Sequence, residues 1–381
     1  MPRFTLHDQQ CSGNNAMTIR RSKTLDVFRG LLFVLMASTH AMSLTGIDRS
    51  HWLFGDLWLP NGWATVVYVV LSGYGIGWIF SARHPPARHQ ALLHRRSAVI
   101  LAVMLLSNSF FAIAKLAQAG DLSPVLTWAW WIGFITLTTP WSISGVLLPT
   151  VLVLLCAPLL IRCCGHWPWQ TLAALLLAQI AANLAGQFAV ASGATGGWAV
   201  RFFLLEGLGG FPVLPFLLNG CIGCWLGIYR HQNEPLWLYG IALLLLLQLA
   251  VYGSTFAPPA VYWSVFRNTV GPAGKFAWLF LCAGLLARSG YRPLVVPMAL
   301  IGKFALTTFV MHRIFLQLLE TTLNGQQPET LPAELRYAML WIGTLSLTWV
   351  LCGFLQRHYN RVASPRLAQN KVSGKDDYFT Q

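Results

Sequence analysis

Two side chains in the first apolar stretch of the chain, Arg29 and His40, are of types that do chemistry inside membrane proteins. They are eleven positions apart. An α-helix turns about 100° and rises about 1.5 Å per residue, so both fall on one helix face, about 16 Å apart. A guanidinium binds anions, and an imidazole exchanges protons near neutral pH. The spacing predicts an anion-binding group at one end of a helix and a proton acceptor towards the other.

Simpler interpretations of both residues stay open. Arg29 can reach the membrane surface as a flanking residue, and Asp26, one turn earlier, can neutralise its charge. His40 can make a structural hydrogen bond to a neighbouring helix. An ionisable group in an apolar segment is costly unless it faces a protein interior or water. That cost favours a functional role for His40.

The elements that must position these residues are membrane helices. The chain has 381 residues, of which 55% are hydrophobic and only 10% charged, whereas soluble domains carry about 25% charged residues. Its formal net charge of +14 comes from Lys and Arg placed between apolar runs. There they set orientation, so no nucleic-acid partner is expected. The composition predicts an all-α polytopic integral membrane protein in a lipid bilayer.

Apolar runs long enough to cross a bilayer predict about ten transmembrane helices, with both termini in the cytoplasm. A further stretch, 125–139, is short and rich in tryptophan. If it crossed, the basic carboxy-terminal tail would lie outside, against the positive-inside rule, so we expect a re-entrant or interfacial helix. The predicted spans are 27–46, 63–81, 98–118, 142–161, 169–191, 211–229, 236–253, 272–287, 294–319 and 335–355.

Three parts follow from this pattern: a cytoplasmic tail over 1–22, a transmembrane domain over 23–356 and a basic cytoplasmic tail over 357–381. The first apolar run lacks a small-residue cleavage site, so we expect it to stay as an uncleaved helix.

Cys221 and Cys224 form a C-x-x-C pair inside an apolar run, without a second pair or a nearby histidine. We expect this pair to pack helices together and expect no metal site.

A second group of polar side chains occurs late in the chain. In the span that begins after Arg292, which also runs outward, His312 and Arg313 fall at about the depth of His40. Lys303 falls nearer the inside. An interhelical hydrogen bond is the simpler interpretation of His312. If the two helices meet, two imidazoles and a guanidinium share one site, but the sequence leaves open whether they touch.

These motifs resemble those of a known family. The opening L-D-x-x-R-G, which contains Asp26 and Arg29, is followed by His40 at R-x10-H spacing. It is similar to the first helix of the acyltransferase-3 superfamily of membrane acyltransferases. The L-S-G-Y stretch with Ser72 and Tyr74 resembles that family's F-F-x-x-S-G-F/Y element.

Two more positions match. Arg95 and Arg96 resemble the basic pair before the family's third helix, and His312 resembles its weaker Y-x-x-x-H motif. Within that superfamily, the opening motif and the S-G-Y stretch most resemble those of the periplasmic glucan succinyltransferases. The chain departs from the pattern in lacking the proline that often follows the basic pair, and in having Tyr74 where Phe is commoner.

The resemblance implies transfer of a small acyl group, acetyl or succinyl, from cytoplasmic acyl-CoA to a sugar hydroxyl of an extracytoplasmic glycan or glycolipid. Acyl-CoA is then a co-substrate, with no tightly bound cofactor. The implied setting is a bacterial inner membrane, with a homo-oligomer as an option. The implied residues are His40 as general base with His312 and Arg313; Arg29, Arg95, Arg96 and Lys303 for the donor phosphates; and Asp26, Ser72 and Tyr74 along the channel.

Two other classes of function fit the composition. An exporter of a small polar or acylated molecule also uses intramembrane Arg and His. Transporters often show repeat-related halves or paired broken helices, and none is evident in this sequence. A structural subunit for export of an envelope polysaccharide is the third class. Dependence on acyl-CoA separates the enzyme from both.

Overall fold

The structure is a computed structural model that describes residues 22–47, 63–81, 86–118, 120–135, 144–194, 197–205, 212–232, 260–324 and 331–373. Its regular structure in these ranges is helical: twelve α-helices, a 3₁₀ turn at Ser123–Leu126 and a π turn at Arg201–Leu205. The predicted span over 236–253 and nearly all of the predicted tail over 1–22 lie outside the described residues.

The helices follow the apolar runs of the sequence. In chain order they are α1 (Lys23–Thr45), α2 (Trp63–Ser81), α3 (Pro86–Gln118), α4 (Trp128–Ile135), α5 (Ser144–His166), α6 (Pro168–Ala191), α7 (Trp198–Val200), α8 (Val213–Gln232), α9 (Ala260–Ser289), α10 (Arg292–Lys303), α11 (Ala305–Asn324) and α12 (Ala333–Ser373). Because α12 continues to Ser373, the tail predicted to begin at 357 starts as a continuation of the last helix.

Five helices, α1, α3, α5, α6 and α12, are each long and apolar enough to cross a bilayer. The pair α10 and α11 qualifies together as a sixth span, and α2 and α8 are shorter apolar helices. The chain is therefore an integral multi-pass membrane protein with five or six candidate spans among the described residues. The count of ten stays a prediction.

The tryptophan-rich stretch forms the short helix α4, which has eight residues and is about 12 Å long. It is too short to cross a bilayer by itself. The Trp130 and Phe134 rings stack with centroids 5.4 Å apart, while Trp128 is 82% exposed. An exposed Trp beside a packed aromatic pair is typical of a helix at a membrane interface.

Helix α1 is the centre of the bundle and contacts α2, α9, α10, α11 and α12. Leu32 and Phe33, near its middle, are completely buried. The Phe28 ring lies 5.4 Å from that of Phe276 on α9. The indole N–H of Trp341 on α12 donates to the Val34 carbonyl at 3.2 Å. A helix packed on every side in this way can hold polar groups away from lipid.

Helices α2 and α8 touch through their backbones because glycines line the contact. A Cβ at Gly73 would overlap the carbonyl of Gly220, and a Cβ at Gly77 would overlap the carbonyl of Cys224. Small residues allow this close approach in membranes, where van der Waals contact drives helix association. Cys224 is completely buried and Cys221 nearly so. The C-x-x-C pair thus lies in a helix-packing interface, as predicted.

Helix α10 lies across one end of α1. The Lys23 ammonium donates to the Ala287 carbonyl at 3.4 Å, so α9 ends beside the start of α1 and α10 begins there. The last turn of α10 packs against α1, where a Cβ at Gly302 would overlap the carbonyl of Asp26. At Phe304 the backbone leaves the helical region (φ −105°, ψ 34°), and α11 departs at 97°. The apolar run that predicted a span over 294–319 is therefore a bent pair of helices and not one straight helix.

Candidate functional site

The two histidines singled out by the sequence are in contact. His40 on α1 and His312 on α11 have ring centroids 5.4 Å apart, with ring planes inclined by only 20°. After the bend, α11 follows α1, since Leu316 packs in one apolar cluster with Met42. The question that the sequence left open is answered: the two helices meet at the imidazoles.

His312 is buried among rings, and one of its ring nitrogens has no hydrogen-bond partner in the part of the chain that the structure describes. It is 1% exposed, and the rings of Phe33 and Phe309 lie 5.7 and 5.8 Å away, inclined steeply to the imidazole. Its Nδ1 is 3.3 Å from the Thr308 carbonyl oxygen. A carbonyl only accepts, which assigns the proton of the neutral imidazole to Nδ1. Nε2, without a partner among the described residues, is then the proton acceptor.

His40 and Arg313 complete this end of the site. Both side chains are half-buried, and Arg313 directly follows His312 in the chain. An imidazole that is partly accessible can take a proton from a hydroxyl. A guanidinium on the residue that follows His312 can stabilise negative charge that develops on an oxygen nearby. Acyl transfer to an alcohol is one reaction that uses both functions.

Arg29 is positioned near the other end of α1. Its Nη1 is 3.3 Å from a carboxylate oxygen of Asp26, and its backbone carbonyl accepts a 2.9 Å hydrogen bond from the Tyr68 hydroxyl on α2. A Cβ at Gly75 would lie 3.5 Å from Nη2, so the guanidinium reaches α2. Arg29 is therefore held between two helices, unlike a flanking residue extended freely to the membrane surface.

Lys303 shares this end of α1. It follows Gly302, whose backbone packs against that of Asp26. Its ammonium lies 4.9 Å from the centre of the Tyr359 ring on α12, a distance at which a cation and an aromatic face attract. The sequence predicted Lys303 and Arg29 on the same side of the membrane, and α10 brings Lys303 back to the helix that carries Arg29.

Arg95 and Arg96 lie elsewhere. Both are exposed on α3, and α3 packs mainly against α5 and is not among the helices packed closely around α1. The structure therefore does not bring this basic pair together with Arg29 in the way that it brings Lys303. A role in binding the donor stays a prediction.

The two channel residues of α2 have different surroundings. The Ser72 hydroxyl donates to the Tyr68 carbonyl of its own helix at 2.8 Å. Tyr74 is completely buried, with ring centroids 5.5 and 5.6 Å from those of Phe276 and Phe280 on α9. Its ring therefore packs α2 onto α9, and a role along a channel stays a prediction.

Several buried polar groups were not singled out by the sequence analysis. Gln179 on α6 is completely buried, and its amide has no hydrogen-bond partner among the described residues. Asn183, one turn later, donates to the Thr269 hydroxyl of α9 at 3.3 Å. Lys275 is half-buried in α9. Amides recurring every four residues at Gln179, Asn183 and Gln187 were the signal available in the sequence.

Near the histidines, the hydroxyls of Ser38 on α1 and Tyr337 on α12 form a buried hydrogen bond of 2.9 Å. We expect Tyr337→Phe to lower the free energy of unfolding by about 1–2 kcal/mol, because the Ser38 hydroxyl loses its partner. The double variant Ser38→Ala with Tyr337→Phe should recover part of this loss. Thermal unfolding in detergent measures it, and equal stability of wild type and Tyr337→Phe would contradict the prediction.

The apolar helices and their polar interior define a multi-span helical membrane protein. Within it, residues 230–361 match the family described as Protein of unknown function (DUF418). The match covers less than half of the chain. It contains Lys303, His312 and Arg313 but leaves out α1, with Arg29 and His40. No curated protein and no solved structure matches the chain.

Proposed function

We propose that this protein is a membrane-bound O-acyltransferase. It moves a small acyl group, acetyl or succinyl, from cytoplasmic acyl-CoA to a sugar hydroxyl of an extracytoplasmic glycan or glycolipid. The observation that carries the proposal is the stacked pair of His40 and His312 beside Arg313. A second polar centre, formed by Arg29 and Lys303, lies near the other end of α1. The motif resemblance to the acyltransferase-3 superfamily supports the same reaction.

The cationic centre suits the donor. Acyl-CoA carries several phosphates, and Arg and Lys bind phosphate through charge-assisted hydrogen bonds. Arg29 and Lys303 lie beside the same end of α1, and the positive-inside pattern of the sequence orients this end to the cytoplasm. In the proposed arrangement the acyl arm of the donor extends along α1 towards His40.

The histidine centre suits the acceptor. In the proposed step His40 takes the proton of the sugar hydroxyl as its oxygen attacks the thioester carbonyl. Negative charge develops on the carbonyl oxygen next to Arg313. When the carbon–sulfur bond breaks, the CoA thiolate leaves and takes up the proton held by His40. His312 supports the His40 ring by stacking on it.

The finer topology belongs to the same proposal. It has ten spans, both termini in the cytoplasm, a re-entrant or interfacial α4, and a place in a bacterial inner membrane. The supports are the alternation of basic residues along the chain and the length of α4. A homo-oligomer is compatible with the broad apolar surface that the bundle exposes.

Arg29→Gln tests the donor side. We expect it to raise the KM for acyl-CoA about tenfold, because one charge-assisted hydrogen bond is worth roughly 1.5–3 kcal/mol. The KM for the acceptor should stay within about twofold. Lys23→Gln, a cation at the same end of the same helix, is the matched control and should leave both values unchanged. A selective rise in the acceptor KM would contradict the placement of the donor.

A transporter is the second candidate, and the 97° break between α10 and α11 favours it, because transporters build substrate sites at discontinuous helices. The two candidates differ in their use of acyl-CoA. Purified protein incubated with labelled acyl-CoA and a panel of glycans should place label on a glycan. Folded protein that transfers no label from acetyl-CoA or succinyl-CoA would overturn the acyltransferase proposal.

A further inference from the structure

A cleft between α3 and α11 opens at the surface of the helix bundle and has a volume of about 200 Å³. Its inner wall includes Phe111, which is buried, and Ile314, which is half-buried. Phe110 and Leu318 form its rim and are 54% and 59% exposed. An apolar wall and rim of this kind accept a hydrocarbon chain that enters sideways from the bilayer.

The same cleft has a polar side. Lys115, in the last turn of α3, lines it, as do Gln317 and Thr321 of α11. The nearest carboxylate on α11, that of Glu320, accepts a hydrogen bond from the Gln317 amide at 3.2 Å. The Thr321 hydroxyl donates to the Gln317 backbone carbonyl at 2.8 Å, so these polar groups are bonded within α11. Lys115, which is exposed on α3, therefore supplies the positive charge of the lining.

The cleft shares α11 with the histidine pair but lies on another face of that helix. At about 100° per residue, Ile314 and Thr321 lie about 200° and 180° around α11 from His312. His312 contacts His40 on α1, whereas the cleft residues of α11 face α3. The cleft is therefore a site separate from the imidazole pair.

We propose that this cleft binds a membrane lipid with a phosphate headgroup. The apolar wall takes the hydrocarbon chain, and Lys115 pairs with the phosphate. This lipid site goes beyond the proposed acyl transfer and does not depend on it.

Photo-crosslinking of the whole protein in phosphatidylcholine nanodiscs tests this site. The probes are phosphatidic acid and diacylglycerol with the same diazirine-bearing chain, which differ only in the phosphate. We expect phosphatidic acid to label the end of α3 and the middle of α11 several-fold more than diacylglycerol does. Lys115→Gln should abolish this preference. The control variant Arg201→Gln removes an exposed cation from the π turn at Arg201–Leu205, outside the cleft, and should keep the preference.

A second pair of variants tests the cavity itself. Ala114→Trp fills the cleft and should lower labelling by both probes several-fold, while Ala117→Trp, the same change at an exposed position outside the lining, should not. Equal labelling by the two probes, or a phosphate preference that survives Lys115→Gln, would overturn the site. The assay uses no acyl-CoA, so labelling as expected without any acyl transfer would refute the proposed enzyme and leave the lipid site standing.

Discussion

His40→Ala is expected to lower the rate of acyl transfer about 10²- to 10⁴-fold, the contribution typical of a general base. The His40 side chain is half-buried and stacks on His312. Its removal therefore takes away a partly accessible imidazole without emptying a fully buried position in the core. The initial rate of label transfer from acyl-CoA to the acceptor measures the effect. Elution as a single folded species shows that the variant is intact.

Two further variants make this result specific. His166→Ala removes an exposed imidazole at the end of α5 and should leave the rate unchanged. His40→Gln keeps a hydrogen-bonding group of similar size but cannot exchange a proton near neutral pH, and it should be as slow as His40→Ala. Near-normal activity of either His40 variant would remove His40 from the mechanism and leave it with a packing role.

Gly77→Ala is expected to lower the free energy of unfolding by about 2–3 kcal/mol. The added Cβ would overlap the carbonyl of Cys224, so α2 and α8 must separate along their glycine contact. Overpacking that shifts backbone costs about this much, and sometimes more. Unfolding in detergent, followed by the loss of monodisperse protein with temperature, measures it.

Gly75→Ala is the matched control, two residues away on the same helix. A Cβ there would make only an ordinary 3.5 Å contact with the Arg29 side chain. Since alanine is a better helix former than glycine by about 0.5–1 kcal/mol, this variant should be neutral or slightly more stable. Equal losses at Gly75 and Gly77 would show that the close contact between α2 and α8 does not determine stability.

The first helix and its two polar ends were predictable from the sequence, because helix geometry is fixed. The rise per residue gave His40 and His312 a common depth on the assumption of one straight helix over 294–319. The rings do stack, but they meet beyond a 97° bend that this arithmetic did not contain. The same arithmetic assigned Lys303 to the end of the bundle that holds Arg29. The Cys221 and Cys224 pair of α8 was also interpretable, since small residues in apolar helices favour packing.

Other features depend on tertiary contacts that no local pattern reveals. The run over 294–319 is apolar throughout, yet it breaks at Phe304 while Gly302 packs on the backbone of α1. Arg95 and Arg96 precede an apolar run like that of any neighbouring span, and only the packing of α3 on α5 separates them from α1. The partner of Ser38 is Tyr337, 299 residues away.

The most direct test of transmembrane acyl transfer uses sealed liposomes that contain the purified protein. Labelled acetyl-CoA or succinyl-CoA is enclosed with the cytoplasmic face inside, and lipid-linked and soluble glycans are supplied outside. We predict label on an external glycan with wild type and none with His40→Ala. Label that leaves the liposomes on the unchanged donor or as a free small molecule, with no glycan modified, would contradict the enzyme and indicate a transporter.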